Sequence, residues 1–252
     1  MLKSAWLVSF IRIPMLGIAL LLLFAIFELS GLQFHFPFLP ELSTVYFTVV
    51  NIICFILMHR LLKKEGRTLK ELVGYHREYL FKDILYGLLW LVVLFVPFVL
   101  AVMGMMFILF GTEMLQQFQT VFAGNEDSYL FARPIWLMWF AAIVSLAFPF
   151  LNGPIEEIMY RGYAQSIFLK YFKKVWIAIF IPSLGFALQH IFLAATLEGA
   201  LVYCTAYFLW GVGSGIIYLK QKRLFPLIIC HFVVNISFSV FPIIFLTLGV
   251  TE

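Results

Sequence analysis

The chain has 252 residues, 63% of them hydrophobic and 12% charged, with a formal net charge of +4. A soluble domain is roughly half apolar and a quarter charged. A mean hydropathy of +1.02 therefore leaves too little polar surface to face water, and a polytopic membrane protein is the class that remains. In that class the positive balance reports topology, and no nucleic-acid partner is expected.

Apolar runs follow one another along the chain: Leu7–Phe27, Leu42–Met58, Ile84–Gly111, Pro134–Leu151, Ile155–Leu169, Val175–Thr196, Leu201–Leu219 and Leu224–Leu248. The first, with Lys3 before it, is signal-like. No small-x-small cleavage site follows near "FELSGLQ", so it reads as a retained helix. Between the second and third runs, Lys63 to Lys82 mixes basic residues with Leu69, Leu72, Val73 and Leu80. That pattern suits a helix lying on the membrane surface, or equally a plain loop. Gly111 to Arg133 is polar, centred on Gly124-Asn125, and reads as an outer loop. Ile155–Leu169 is too short to cross alone, since about 20 apolar residues are needed.

Most of the basic residues lie at Lys3, Arg60 to Lys82, Lys170 to Lys174 and Lys220 to Arg223; acidic residues mark the opposite ends. Basic loops stay in the cytoplasm. This alternation requires Pro134–Leu169 to be one crossing, broken at Asn152-Gly153-Pro154. The reading is an all-α bundle of about seven spans in one membrane domain, N-terminus cytoplasmic and C-terminus outside. One broken helix carries the glutamates, with Glu156 in the first turn after the break, where the helix dipole favours an anion. Cys54, Cys204 and Cys230 form no CxxC pair and read as small core residues.

Ionisable residues inside spans are costly and mark function by default. Arg12 is near the cytoplasmic end, where it can snorkel to water. His35, His59 and His76 fall in loops or interfaces and carry no signal. Glu157 and Arg161 stand four apart, the favourable order for an ion pair on one helix face. Glu156 faces about 100° away and has no local cation. Phe186 and His190 share a face, as do His231 and Asn235. Taken singly, each group has a structural reading: a salt bridge, a packed histidine, an interhelical hydrogen bond worth about 0.6 kcal/mol. Together they put polar groups on three apolar helices, which one wet cavity explains more economically.

The order EExxxR (Glu156, Glu157, Arg161), FxxxH (Phe186, His190) and HxxxN (His231, Asn235) resembles the CPBP family, the CAAX-protease and bacteriocin-processing intramembrane endopeptidases, also called Abi. "YRGYAQ" after the glutamates and the GxxxG before the last histidine are similar too. The resemblance covers Pro134 to Ser237 and implies a catalytic core over residues 134–240. It implies hydrolysis of a peptide bond in a membrane-associated protein or peptide. Glu156 would activate water with help from His190, Glu157 would be held by Arg161, and His231 and Asn235 would stabilise the oxyanion. Prenylated CAAX proteins are substrates of the eukaryotic branch. A short, Phe-rich chain looks more like the bacterial proteins, placed in the cell membrane, for which peptide maturation or bacteriocin immunity is the usual proposal.

The same donors, Glu156, His190 and His231, are the types of a two-His-one-Glu zinc set, with Glu157 as base. A metal-free mechanism is favoured, because His231 and Asn235 aim two donors at one place and no close-spaced ligand pair starts a chelate. Zinc stays open as the alternative. At 1.5 Å per residue, His190 lies about 22 Å from Val175 and His231 about 10 Å from Leu224. A bend at Pro154, Pro182 or Gly185, or a deeper start near Leu224–Pro226, is needed to bring them together. A rhomboid-like reading would use Ser214 of "GVGSG" with His231, but Gly211 and Gly215 there suit close helix packing. HExxH is absent. A transporter site or an inactive scaffold is the reading outside enzymes.

Overall fold

The computed structural model describes residues 1–32, 42–124 and 134–249. Among them there is no strand. In hydrocarbon every backbone N–H and C=O must be satisfied by the protein itself, which helices achieve within a segment and closed barrels between strands. Among the described residues six helices are long and apolar enough to span a membrane, and a bent pair, taken as one span, makes a seventh. The all-α, roughly seven-span bundle is therefore observed, and the chain is an integral membrane protein. Large apolar side chains such as Leu21, Val92, Leu100 and Ile108 are exposed on its outside, as lipid-facing surface requires.

The first span is two helices, α1 (Leu2–Phe10) and α2 (Arg12–Leu29), joined at Ile11. α3 (Ser43–Lys64) follows. The stretch Lys63 to Lys82 is neither one surface helix nor a plain loop. It is the end of α3, a five-residue α4 (Leu69–Val73), a 3₁₀ turn and the start of α5 (Leu80–Phe110). α4 is fixed by a capping box between Thr68 and Glu71 and ended by Gly74 at φ 66°. The expected outer loop carries a short α6 (Phe118–Ala123); its centre at Asn125, and His35, lie outside the described residues.

Two expectations about the broken span are corrected. The bend, 48°, lies between α7 (Ile135–Ser145) and the helix starting at Phe148, not at Asn152-Gly153-Pro154. Pro149, in the first turn of α8 (Phe148–Glu157), marks the true start. Pro154 sits inside α8, so Glu156 is near that helix's end and not in a first turn. The chain then continues through a π-helical stretch, Ile158–Gln165, into α9 (Ser166–Phe172). Such widened turns are frequent at functional sites.

α10 (Val175–Gln189) ends in a 3₁₀ turn at His190–Leu193, followed by α11 (Leu197–Gln221) and α12 (Phe225–Leu248). Glycines set how closely these helices approach. In lipid, contact between helices rests on van der Waals packing, which small residues make possible. A Cβ on Gly211 would stand 2.9 Å from Ser183 Cβ, and one on Gly215 3.0 Å from Ile179, so the GxxxG face does pack α11 on α10. A Cβ on Gly153 would stand 3.3 Å from His231 Cβ, which brings α8 against α12. Leu224, Pro226 and Leu227, at the start of α12, are buried against the rest of the bundle.

Candidate active site

α8 and the π-helical stretch run through the middle of the bundle, in contact with α1, α3, α10, α11 and α12. Glu156, Glu157 and Arg161 are all buried there. The expected pair forms: Arg161 Nη1 donates to Glu157 Oε1 at 3.2 Å. Arg161 Nη2 reaches the Gly211 carbonyl at 3.5 Å, and its guanidinium lies 4.4 Å over the Phe186 ring. The glycine that lets α11 approach therefore also presents its carbonyl to the arginine. Gln165, one turn on, likewise donates to the Gly215 carbonyl at 2.8 Å.

The reading of Arg12 and of Glu156's isolation is overturned. Arg12 does not snorkel; it is 0% exposed, and its Nη2 donates to Glu156 Oε1 at 2.9 Å. Its Nη1 donates to Asn51 Oδ1 at 2.5 Å, its Nη2 also reaches Asn152 Oδ1 at 3.3 Å, and its Nε donates to Gln189 Oε1. The three amides pass hydrogen bonds on. Asn51 donates to Asn152 Oδ1 at 3.1 Å, Asn152 to Glu156 Oε2 at 3.2 Å, and Gln189 to Glu156 Oε1 at 2.8 Å. Snorkelling fails because the α1–α2 junction is inside the bundle, not at its rim, and a buried arginine must then find acceptors.

His231, on α12, stands between the two carboxylates. Nδ1 is 3.1 Å from Glu157 Oε1 and Nε2 is 3.4 Å from Glu156 Oε2. A neutral ring donates to one of them and an imidazolium to both. Asn235, one turn on, is buried, and its Nδ2 has no hydrogen-bond partner among the described residues. The same holds for Glu157 Oε2.

His190 Nδ1 lies 2.6 Å from the Phe186 carbonyl. A carbonyl only accepts, so Nδ1 carries the proton and Nε2 is left with a lone pair in the neutral ring. The ring stacks on Tyr207 at 3.5 Å, and the Phe186 ring separates it from His231, with centroids 4.6 and 6.1 Å away. His190 thus joins the cluster through aromatic contact; no hydrogen bond between it and Glu156 is present among the described residues. Sequence reasoning had missed Asn51, Asn152 and Gln189. Their signal was available: each is an amide within or beside an apolar run, and Asn152 and Gln189 adjoin the motifs themselves.

The zinc set does not assemble in this arrangement. Among the described residues no group of three His, Cys, Asp or Glu side chains is placed to share a metal ion. The cation beside Glu156 is Arg12, and both nitrogens of His231 face carboxylates. The serine alternative lacks its base, since Ser214 Oγ is buried with no hydrogen-bond partner among the described residues.

Comparison with known proteins adds one match. Residues 134–237 match the family model described as type II CAAX prenyl endopeptidase Rce1-like. That span holds all seven motif residues and leaves Arg12 and Asn51 outside. No curated protein and no solved structure matches the chain.

Proposed function

We propose that this chain, which belongs through residues 134–237 to the Rce1-like family of type II CAAX prenyl endopeptidases, is an intramembrane endopeptidase. It cleaves a peptide bond of a membrane-associated protein or peptide with carboxylate-activated water. One observation carries the reading. Beside the paired charges of the buried cluster, a donor, Asn235 Nδ2, and an acceptor, Glu157 Oε2, have no hydrogen-bond partner among the described residues. Buried polar atoms left unpaired are costly, so a site that keeps one of each is fitted to bind something polar.

The roles follow from which lone pairs remain. Oε1 of Glu156 is filled by Arg12 and Gln189, whereas Oε2, among the described residues, accepts from Asn152 alone and faces His231 at the looser distance of 3.4 Å. Oε2 is the atom that takes the water's proton. The hydroxide oxygen bonds to the carbonyl carbon, and the carbonyl electron pair moves to oxygen, where Asn235 Nδ2 donates to it. When the C–N bond breaks, the proton on Glu156 passes to the departing amine and the carboxylate is restored. Glu157, held by Arg161, fixes His231 from the other side, and His190 Nε2 is a second acceptor for the water. The distribution of Lys3 and the basic stretches supports a cytoplasmic N-terminus and an outer C-terminus.

Purified chain incubated with a quenched peptide library tests this. Wild type and Ser214→Ala cleave, while Glu156→Gln inserts and folds but releases no product. An active glutamine variant with a dead alanine variant would make it a serine enzyme. Substrate-dependent flux with no cleaved product would make it a transporter.

A further inference from the structure

We infer that the N-terminal helices complete the site, with Arg12 a positioning residue that fixes Glu156 so that its Oε2 faces His231. The kinetic half of this inference rests on the endopeptidase reading; the structural half does not. All three guanidinium nitrogens of Arg12 are engaged, by acceptors on three different helices: Asn51 on α3, Asn152 and Glu156 on α8, and Gln189 on α10. A buried arginine needed only to staple helices could close on carbonyls anywhere. This one closes on the carboxylate next to Glu157, which has its own arginine. The pair is also orienting. Arg12 and Gln189 both donate to Oε1, so the carboxylate cannot rotate without losing two charge-assisted or amide hydrogen bonds.

The fold brings Arg12 there by a specific device. Gly185 and Gln189 stand four apart on α10, on one face. A Cβ on Gly185 would overlap the Ser9 carbonyl, so the glycine lets the end of α1 lie directly on α10. Three residues after Ser9, Arg12 meets Gln189. Both sides of this contact come from motifs near His190 and from a helix outside residues 134–237, so the working unit is larger than the matched segment.

Melting and cleavage of the full chain test the inference together. Arg12→Met should melt below wild type, because Glu156 loses its cation. Arg12→Met with Glu156→Gln should melt above Arg12→Met alone, because the stranded charge is gone. A double variant that melts no higher than the single one overturns the clamp. Arg12→Lys keeps the charge but not the planar fork. It should melt between Arg12→Met and wild type while kcat falls about 10²-fold, with KM within about twofold, since small misplacements of a reacting group cost that much. Full recovery of kcat in Arg12→Lys makes Arg12 a staple and overturns the positioning role. If Arg12→Lys does not fold, Asn51→Ala removes one acceptor of Arg12 and leaves its charge. Its kcat should then fall about tenfold, and an unchanged kcat again overturns the role. A wild type that cleaves nothing sinks the endopeptidase reading alone, and the melting comparison still decides the clamp.

Discussion

Arg161 is engaged by its neighbours and Asn235 Nδ2, among the described residues, is not, so the two should fail in different ways. Arg161 holds Glu157 at 3.2 Å, touches the Gly211 carbonyl and covers the Phe186 ring. Removing it in Arg161→Ala strands a buried carboxylate, which costs about 3–5 kcal/mol for a broken buried pair. Melting and cleavage should therefore fall together. Arg161→Lys should recover only part, because a point charge replaces a planar fork. Wild-type melting in Arg161→Ala would show that Glu157 needs no cation. Asn235 is the contrast: its Nδ2 has no partner among the described residues, so Asn235→Ala breaks no internal hydrogen bond at that atom. Melting should stay near wild type while kcat drops about 10²–10³-fold, the usual loss for one oxyanion donor. An Asn235→Ala chain that melts far lower but cleaves normally would assign this side chain to packing.

Helix contacts translate into function where a glycine controls the approach of a charged residue. Gly185→Val would push a side chain into the Ser9 carbonyl and lift α1 from α10. Overpacking of this kind costs about 1–3 kcal/mol, and here it also moves Arg12. Activity should fall further than in Gly153→Ala, whose added Cβ would stand 3.2 Å from the Phe232 nitrogen. Equal activity in the two variants would separate Gly185 from the site. The same scale explains what could be read from sequence. Glu157–Arg161 and the Gly211–Gly215 face needed only the helix repeat, because both partners lie on one element or the feature is a single face. Arg12–Glu156 joins residues 144 apart, and no local rule connects them. The sequence places the break at Gly153-Pro154 because that pair looks like a stop. Gly153 instead serves close packing on α12, and Pro149 was the helix-start signal that went unused. The π-helical stretch had no signal in the sequence.

At the level of the molecule, composition and charge distribution sufficed for an integral all-α bundle, because lipid permits few alternatives. They could not give the site's charge balance, which depends on the packing of helices far apart in sequence. That balance bears on metal dependence. The buried cluster holds two arginines, Arg12 and Arg161, and two glutamates, Glu156 and Glu157, so its fixed formal charges cancel. A zinc ion bound by Glu156, His190 and His231 would add two positive charges to a buried cluster whose charges already cancel. It would also have to displace Arg12 from Glu156 and part His231 from one of its carboxylates. His190 would have to supply its ligand from Nε2, since Nδ1 is engaged by the Phe186 carbonyl. We therefore predict that exhaustive chelation of the purified chain leaves kcat/KM within about twofold of its starting value, and that added zinc does not raise it; RT ln 2 is only about 0.4 kcal/mol. Metal content should stay well below one ion per chain in active preparations. Activity that is lost on chelation and returns in proportion to zinc, reaching its full value at one ion per chain, would sink the metal-free mechanism. In that event Glu156 becomes a ligand, Glu157 with its unpartnered Oε2 becomes the base, and Arg12 must leave Glu156 when the metal binds, a movement that the Arg12→Met variant should make easier and so raise zinc affinity.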